Sequence, residues 1–206
     1  MRTDRLQTLA DGVFAIALTL LVLQLPTPKE SRSLAHDLLN QWPFYAAYIV
    51  SFVTIAIVWI NHHTLMDGIA RADRTLMELT LLLLLFVSVV PWPTGLLAAY
   101  LRDPEQSSAA AVTYGLVMTL MASSFAAIWL WLARTEHLVH PELRPRIRAA
   151  IRRSLIGPAV YAAGTLIGLA SAPAALGLYA FVALFFALSG RTARVTAGEA
   201  IASEKI

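Results

Sequence analysis

Long apolar runs separated by short polar connections dominate the amino-acid sequence. Six runs approach the roughly 20 mostly apolar residues that a helix needs to cross the hydrocarbon core of a bilayer. They cover residues 6–25, 43–65, 76–100, 108–133, 151–170 and 173–189. This pattern predicts an all-α, polytopic membrane protein with six transmembrane helices in one domain, residues 1–190. Residues 191–206 are polar and rich in small side chains, which predicts a frayed cytoplasmic tail.

Prolines mark where two of the predicted helices end or bend. Pro26 and Pro28 follow the first run, and proline cannot continue a helix because it lacks a backbone N–H. Pro91 and Pro93 lie near the far end of the third run. We therefore expect the first helix to stop before Pro26 and the third to be kinked at Pro91.

The composition agrees with a bilayer environment. Hydrophobic residues make up 58% of the chain, charged residues 14%, and the mean hydropathy is +0.65. Soluble domains are typically about 45–50% apolar and about 25% charged. The chain has no cysteine, which excludes disulfides, thiolate metal sites and a cysteine nucleophile.

The basic residues are distributed unevenly between the loops. With six spans, thirteen of the 16 Lys and Arg residues fall on one side of the membrane, and only Lys29, Arg32 and Arg102 fall on the other. The positive-inside rule then places both termini in the cytoplasm. Because these residues cluster between apolar runs, the net charge of +3 indicates membrane orientation and no nucleic-acid partner. The Arg-rich loop 134–153 is expected near anionic lipid headgroups, with a specific lipid or regulatory site as the alternative.

An ionisable residue within a predicted span is the main candidate for chemistry. Asp11 lies too deep in the first run for its short side chain to reach the surface, and such groups are functional hypotheses by default. The second run ends with Trp59, Asn61 and His62 at a similar depth, since the two helices are antiparallel. We expect a buried polar network of Asp11, Asn61 and His62, joined by Trp59 or Arg5. Such a network either locks the two helices together or serves in proton sensing or gating.

The histidines give little support to an enzyme. The chain has five, and His36 falls on the opposite side of the membrane from His62, His63, His137 and His140. Membrane di-iron enzymes need many more histidines in several groups. We therefore predict no metal site and no enzymatic activity.

One stripe of the first helix is a candidate pore surface. Gly12, Ile16, Thr19 and Leu23 are spaced by four, three and four residues, which places them on one helical face. Apolar stripes on spanning helices usually face lipid or other helices. The spacing alone leaves the choice between lipid, helix and pore open.

Three ordered motifs resemble those of the transmembrane protein 175 family, in its prokaryotic branch. They are Arg5 followed by Leu9-Ala10-Asp11-Gly12-Val13-Phe14-Ala15-Ile16, then Trp59-Ile60-Asn61-His62-His63, then Pro91-Trp92-Pro93-Thr94. Eukaryotic members of that family are endolysosomal potassium channels. The family's first motif is an Arg followed a few residues later by Phe-Ser-Asp. Here Leu9-Ala10 replaces Phe-Ser, so one hydroxyl beside Asp11 is absent.

The resemblance implies a homotetrameric cation channel without the usual filter loop. Its pore would be lined by the first helix of each subunit, with apolar constrictions at Ile16 and Leu23 and with Leu20 near the axis. Thr19 falls where some prokaryotic members place a hydroxyl ring linked to selectivity. The resemblance further implies potassium as the permeant ion, no cofactor, membrane lipid as a partner, and a prokaryotic cell membrane as the location.

Three functions follow as hypotheses. The first is a passive, potassium-preferring cation channel. The alternative is a proton-linked secondary transporter that uses Asp11 and His62. A scaffolding membrane protein without ion flux is the third.

Overall fold

The computed structural model describes residues 3–28 and 33–203, with side chains described within 3–28, 33–145 and 147–188. Over these residues the chain is helical, and its only β-pairing is one isolated bridge between Ile69 and Val139. The helices are α1 (Asp4–Leu20), α2 (Leu34–Asn40), α3 (Trp42–Asp67), α4 (Arg74–Val89), α5 (Pro91–Tyr100), α6 (Ser107–Arg134), α7 (Ile147–Gly168) and α8 (Ala172–Ser203). The all-α prediction is confirmed.

Helix α1 ends as its prolines predict. A 3₁₀ turn, Leu21–Gln24, continues the helix and stops at Leu25, whose backbone is extended. A residue before proline avoids the α conformation because its own backbone clashes with the proline ring. On its inner face Leu6, Ala10, Phe14 and Ala17 are buried at helical spacing. This face packs against α3 and α4.

The third apolar run is interrupted where its prolines predict. Helix α4 ends at Val89 and α5 begins at Pro91, which cannot donate a backbone hydrogen bond. Val90 keeps helical dihedrals, and its carbonyl oxygen accepts from the Thr94 backbone N–H at 3.1 Å. The helical path therefore continues through the interruption, from Arg74 to Tyr100.

Hydrogen bonds link the loops at the basic end of the bundle, the end at which most of the arginines lie. Asp73 caps α4 by accepting from the Leu76 N–H at 2.8 Å, and the indole N–H of Trp131 on α6 donates to the same carboxylate. The Ala70 N–H donates to the Leu138 carbonyl oxygen at 2.8 Å. Helix α6 lies at the centre of the bundle and packs against α4, α5, α7 and α8.

Four helical segments of the described chain are long and apolar enough to cross a membrane. They are Asp4–Gln24, Trp42–Asp67, Arg74–Tyr100 and Ser107–Arg134, and Ala172–Leu188 is a shorter apolar helix. Helix α7 falls short because three arginines, Arg148, Arg152 and Arg153, occupy its first turns. The prediction of six spans therefore stays a prediction.

Helix α8 extends beyond the sixth apolar run. It continues to Ser203, because its polar part contains alanine and lacks proline, so nothing in the sequence breaks the helix. Residues 204–206 of the predicted tail lie outside the described residues. So do Arg2, Lys29, Arg32 and Lys205, which contribute to the charge asymmetry.

Candidate ion pathway and its polar anchor

The outer face of α1 is apolar and exposed. Ile16 is 59% exposed and Leu23 72%, while Leu20 is 40% exposed and lies between them. Ile16 and Leu23 are on the side opposite to Phe14, which is fully buried. A helix crossing a bilayer with one packed face presents its other face to lipid, to another subunit or to a pore.

Thr19 places a hydroxyl among these apolar residues. Its Oγ1 donates to the Ile16 carbonyl oxygen at 2.9 Å, and its side chain is exposed. Because the proton is engaged by the helix, the oxygen lone pairs remain available to a cation. The predicted stripe therefore carries one acceptor between apolar residues.

Gly12 continues the same face toward the basic end of the bundle. A Cβ placed there would meet no other atom within 4 Å, so no contact within the chain requires glycine. Because glycine has no side chain, the backbone of α1 is exposed on this face at Gly12.

Asp11 is anchored by the indole of α3. Trp59 Nε1 donates to Asp11 Oδ1 at 2.8 Å, and His63 Nδ1 lies 3.8 Å from the same oxygen. The Asp11 side chain is 38% exposed and that of His63 44%, so this site is half-buried. Gln7 Nε2, one turn before Asp11, lies 3.2 Å from His63 Nδ1 and 3.5 Å from Asp67 Oδ1.

His62 lies in the interior of the helix bundle instead of in this network. It is fully buried, its ring centroid is 5.7 Å from that of Phe14, and neither ring nitrogen has a hydrogen-bond partner among the described residues. A buried histidine without partners is costly, which makes it a candidate for a functional role. Its role in gating stays a prediction.

Asn61 and Arg5 do not meet Asp11. Asn61 is exposed and lines a cavity bordered by α3, α6, α7 and α8, on the far side of α3 from Asp11. Arg5 is exposed on the outer face of α1. Of the five residues expected in one network, the structure joins only Asp11 and Trp59 directly.

A second polar network was not predicted. Ser51 Oγ lies 2.8 Å from Thr94 Oγ1 and 3.0 Å from the Tyr114 hydroxyl, while Thr94 donates to the Val90 carbonyl oxygen. Since the Thr94 proton is used at Val90, Ser51 donates to Thr94 and Tyr114 donates to Ser51. This chain of hydroxyls holds the interrupted segment against α3 and α6.

The 3₁₀ turn that follows α1 packs against the same interrupted segment. The Gln24 side chain lies directly against Gly95, where any Cβ would collide with its amide oxygen. Gly95 therefore lets the 3₁₀ turn approach α5. This contact fixes the position of Leu23, the residue before Gln24, along the length of the bundle.

The chain is similar to proteins named as potassium channels. It is 45% identical over 187 residues to one from Streptomyces collinus, covering 89% of this chain and 91% of that protein. The crystal structure of a lysosomal potassium-selective channel TMEM175 homolog from Chamaesiphon minutus superposes with a TM-score of 0.82 at 34% identity. That superposition covers 91% of this chain and 97% of the other.

Animal proteins match over a smaller share of their length. The endosomal/lysosomal proton channel TMEM175 of Gallus gallus is 33% identical over 153 residues, which is 68% of this chain and 30% of that protein. The family described as endosomal/lysosomal potassium channel TMEM175 matches residues 5–91, which contain the first two motifs and the start of the third. The predicted resemblance is confirmed, and the chain belongs to the TMEM175 family of ion channels.

Proposed function

We propose that this protein is a passive, potassium-preferring cation channel formed by four copies of the chain around a central pore. The observation that carries the proposal is the exposed apolar face of α1, which holds Ile16, Leu20 and Leu23 with Thr19 among them. Relatives over nearly the whole chain are named potassium channels, which supports this ion. One copy of α1 cannot enclose a pore, so the proposal requires an oligomer.

The pore is proposed to be gated by its own apolar surface. Rings of isoleucine and leucine narrow enough to exclude water close a pathway by dewetting. The Thr19 ring lies between Ile16 and Leu23 and replaces part of the hydration shell of a passing cation. No charged side chain is then needed at the constriction.

Asp11 and Trp59 are proposed to hold the pore helix at its cytoplasmic end. Their hydrogen bond joins α1 to α3 one turn before the constriction begins. His62 packs behind the same turn, against Phe14. Arg5 and Asn61 act separately from this anchor, at the cytoplasmic surface and in the cavity.

The proposed setting is the cell membrane of a prokaryote, with six spans and both termini in the cytoplasm. The β-bridge between Ile69 and Val139 supports one part of this arrangement, the placement of the loop before α4 and the loop after α6 on the same side of the membrane. Helices α7 and α8 complete the six, with the α7 arginines at the level of the cytoplasmic headgroups.

Flux of K⁺ through reconstituted channels tests the function. Purified protein in liposomes with a potassium gradient should carry K⁺ current with single-channel steps. Leu23→Ala widens the proposed constriction, so conductance should rise severalfold or the preference for K⁺ over Na⁺ should weaken.

Val22→Ala is the matched control. Val22 is 49% exposed in the same 3₁₀ turn as Leu23, yet it lies about 120° away around the helix. It should leave conductance and selectivity unchanged. Equal currents from the Leu23→Ala and wild-type proteins would show that this face does not line the pore, and absence of flux would reject the channel.

A proton-linked secondary transporter is the second candidate function. The buried His62, whose ring nitrogens have no partner among the described residues, favours it. Such a carrier shows saturable, substrate-specific exchange that Asp11→Asn or His62→Gln abolishes while the oligomer stays intact. Single-channel current steps would reject this candidate.

A further inference from the structure

A cavity of about 480 Å³ opens between α3, α6, α7 and α8, away from the proposed pore. Its volume is within the range of about 300–1,000 Å³ that is typical of ligand pockets. Most of its wall is apolar, formed by side chains such as Ile57, Met121, Phe125 and Trp129. Water gains few hydrogen bonds in such a space, and apolar cavities of this kind take up apolar ligands.

The polar groups of the cavity are concentrated at its basic end. Arg153 is the one charged residue among the described residues that line it, and Asn61 and Ser154 lie at the same end. Arg148 and Arg152 precede Arg153 on the first turns of α7. This end therefore suits an anionic group.

At the opposite end of the cavity, the polar side chains are already hydrogen-bonded to each other, so a ligand need not supply a polar group there. There the Tyr161 hydroxyl donates to Thr54 Oγ1 at 3.3 Å, so the two side chains satisfy each other. Tyr161 is eight residues beyond Arg153 on α7, which is about 12 Å along the helix. Half of a bilayer's hydrocarbon core is about 15 Å thick, so the distance from Arg153 to Tyr161 is close to the depth of one leaflet.

We propose that this cavity binds an acyl chain of an anionic phospholipid of the cytoplasmic leaflet, with the lipid phosphate bound by Arg153. The chain would fill the apolar space as far as Tyr161, and Asn61 and Ser154 would bind polar atoms of the headgroup. A second copy of the protein is a poorer occupant, because the cavity lies among four helices of one subunit. This site does not depend on ion conduction.

Fluorescence quenching of Trp129 provides the test, because this indole lines the cavity. The protein is reconstituted in phosphatidylcholine vesicles that contain an increasing share of phosphatidylglycerol with a brominated acyl chain. The signal of Trp129 is obtained as the difference between the wild-type protein and Trp129→Phe. We expect quenching to saturate at a low share of brominated phosphatidylglycerol, and brominated phosphatidylcholine to be far less effective.

Two variants separate the headgroup from the chain. Arg153→Gln should raise the half-saturating share of phosphatidylglycerol about tenfold, the loss expected for one charged hydrogen bond. Arg152→Gln removes the same charge from a residue that does not line the cavity, and it should leave that share unchanged. Gly157→Leu fills the cavity from α7, where a Cβ makes only an ordinary contact with Ala122, and should abolish the specific quenching.

Three results would overturn the proposal. Equal effects of Arg153→Gln and Arg152→Gln would mean that only general surface charge attracts the lipid. Equal quenching by brominated phosphatidylcholine would mean that no anionic headgroup is recognised. Displacement of the brominated lipid by glycerol phosphate would mean that the site binds a free anion. Thermal melting of Gly157→Leu in detergent confirms that the variant is folded before its quenching is interpreted.

Discussion

The bond between Trp59 and Asp11 is the contact through which α3 holds the ionisable residue of α1. Trp59→Phe keeps the aromatic ring but removes the donor that lies 2.8 Å from Asp11 Oδ1. Because the carboxylate is partly exposed, water replaces part of the lost bond, and we expect a loss of about 1 kcal/mol in the free energy of unfolding. Denaturation in mixed micelles, followed by circular dichroism, measures it.

Trp92→Phe makes the same substitution at another position and is the control. Trp92 is 59% exposed on α5 and lies away from Asp11, so its replacement should change stability by less than about 0.5 kcal/mol. Equal losses in the two variants would mean that the bond from Trp59 adds nothing to the anchor.

The sequence predicts which elements carry the anchor but assigns some of its members to the wrong helical face. Trp59 and His63 are four residues apart, as are Gln7 and Asp11, so each pair lies on one face of its helix and the two faces meet. Asn61 and His62 are rotated by about 200° and 100° from His63 and point elsewhere. Helical spacing could have selected His63 over His62. The cavity beyond Asn61 could not have been predicted, because it depends on how four helices pack.

At the scale of elements, the close packing of α6, α7 and α8 depends on glycine. The Tyr179 ring on α8 lies directly over Gly164 on α7, and it packs in tilted contacts against Tyr114 and Tyr161 at 5.4 and 5.5 Å between ring centroids. A Cβ at Gly164 would collide with this buried ring. Gly164→Ala should therefore destabilise the bundle by about 2 kcal/mol, as overpacked cores do, and lower the melting temperature in detergent.

Gly177→Ala makes the same substitution where no atom lies within 4 Å of the added Cβ. Alanine is the better helix former by about 1 kcal/mol, so this variant should be neutral or slightly more stable. If Gly164→Ala behaves like Gly177→Ala, the Tyr179 ring does not fix the distance between α7 and α8. The apolar runs predict these helices, but the glycine and tyrosine contacts between them follow only from the three-dimensional packing.

At the scale of the whole molecule, the sequence pattern and the helices of the structure give different counts of spans. The apolar runs predict six, whereas length and composition identify four segments of the described chain able to cross a membrane. The difference rests on α7 and α8. Arg148, Arg152 and Arg153 leave α7 an apolar stretch shorter than a typical span, and the apolar part of α8, Ala172–Leu188, is also a short one. Arginines snorkel toward the headgroups along their apolar stems, which lets a shorter apolar stretch suffice.

The absence of cysteine makes this count directly measurable, since each single-cysteine variant carries one thiol. Glu105→Cys lies in the loop before α6, Glu142→Cys in the loop before α7, and Ala170→Cys in the turn between α7 and α8, and all three positions are exposed. With six spans, a membrane-impermeant maleimide applied to intact cells should label Glu105→Cys and Ala170→Cys, while Glu142→Cys should react only after lysis. Protection of Ala170→Cys alongside Glu142→Cys would instead leave α7 and α8 on the cytoplasmic side, because that turn can reach the outer surface only if both helices cross the bilayer.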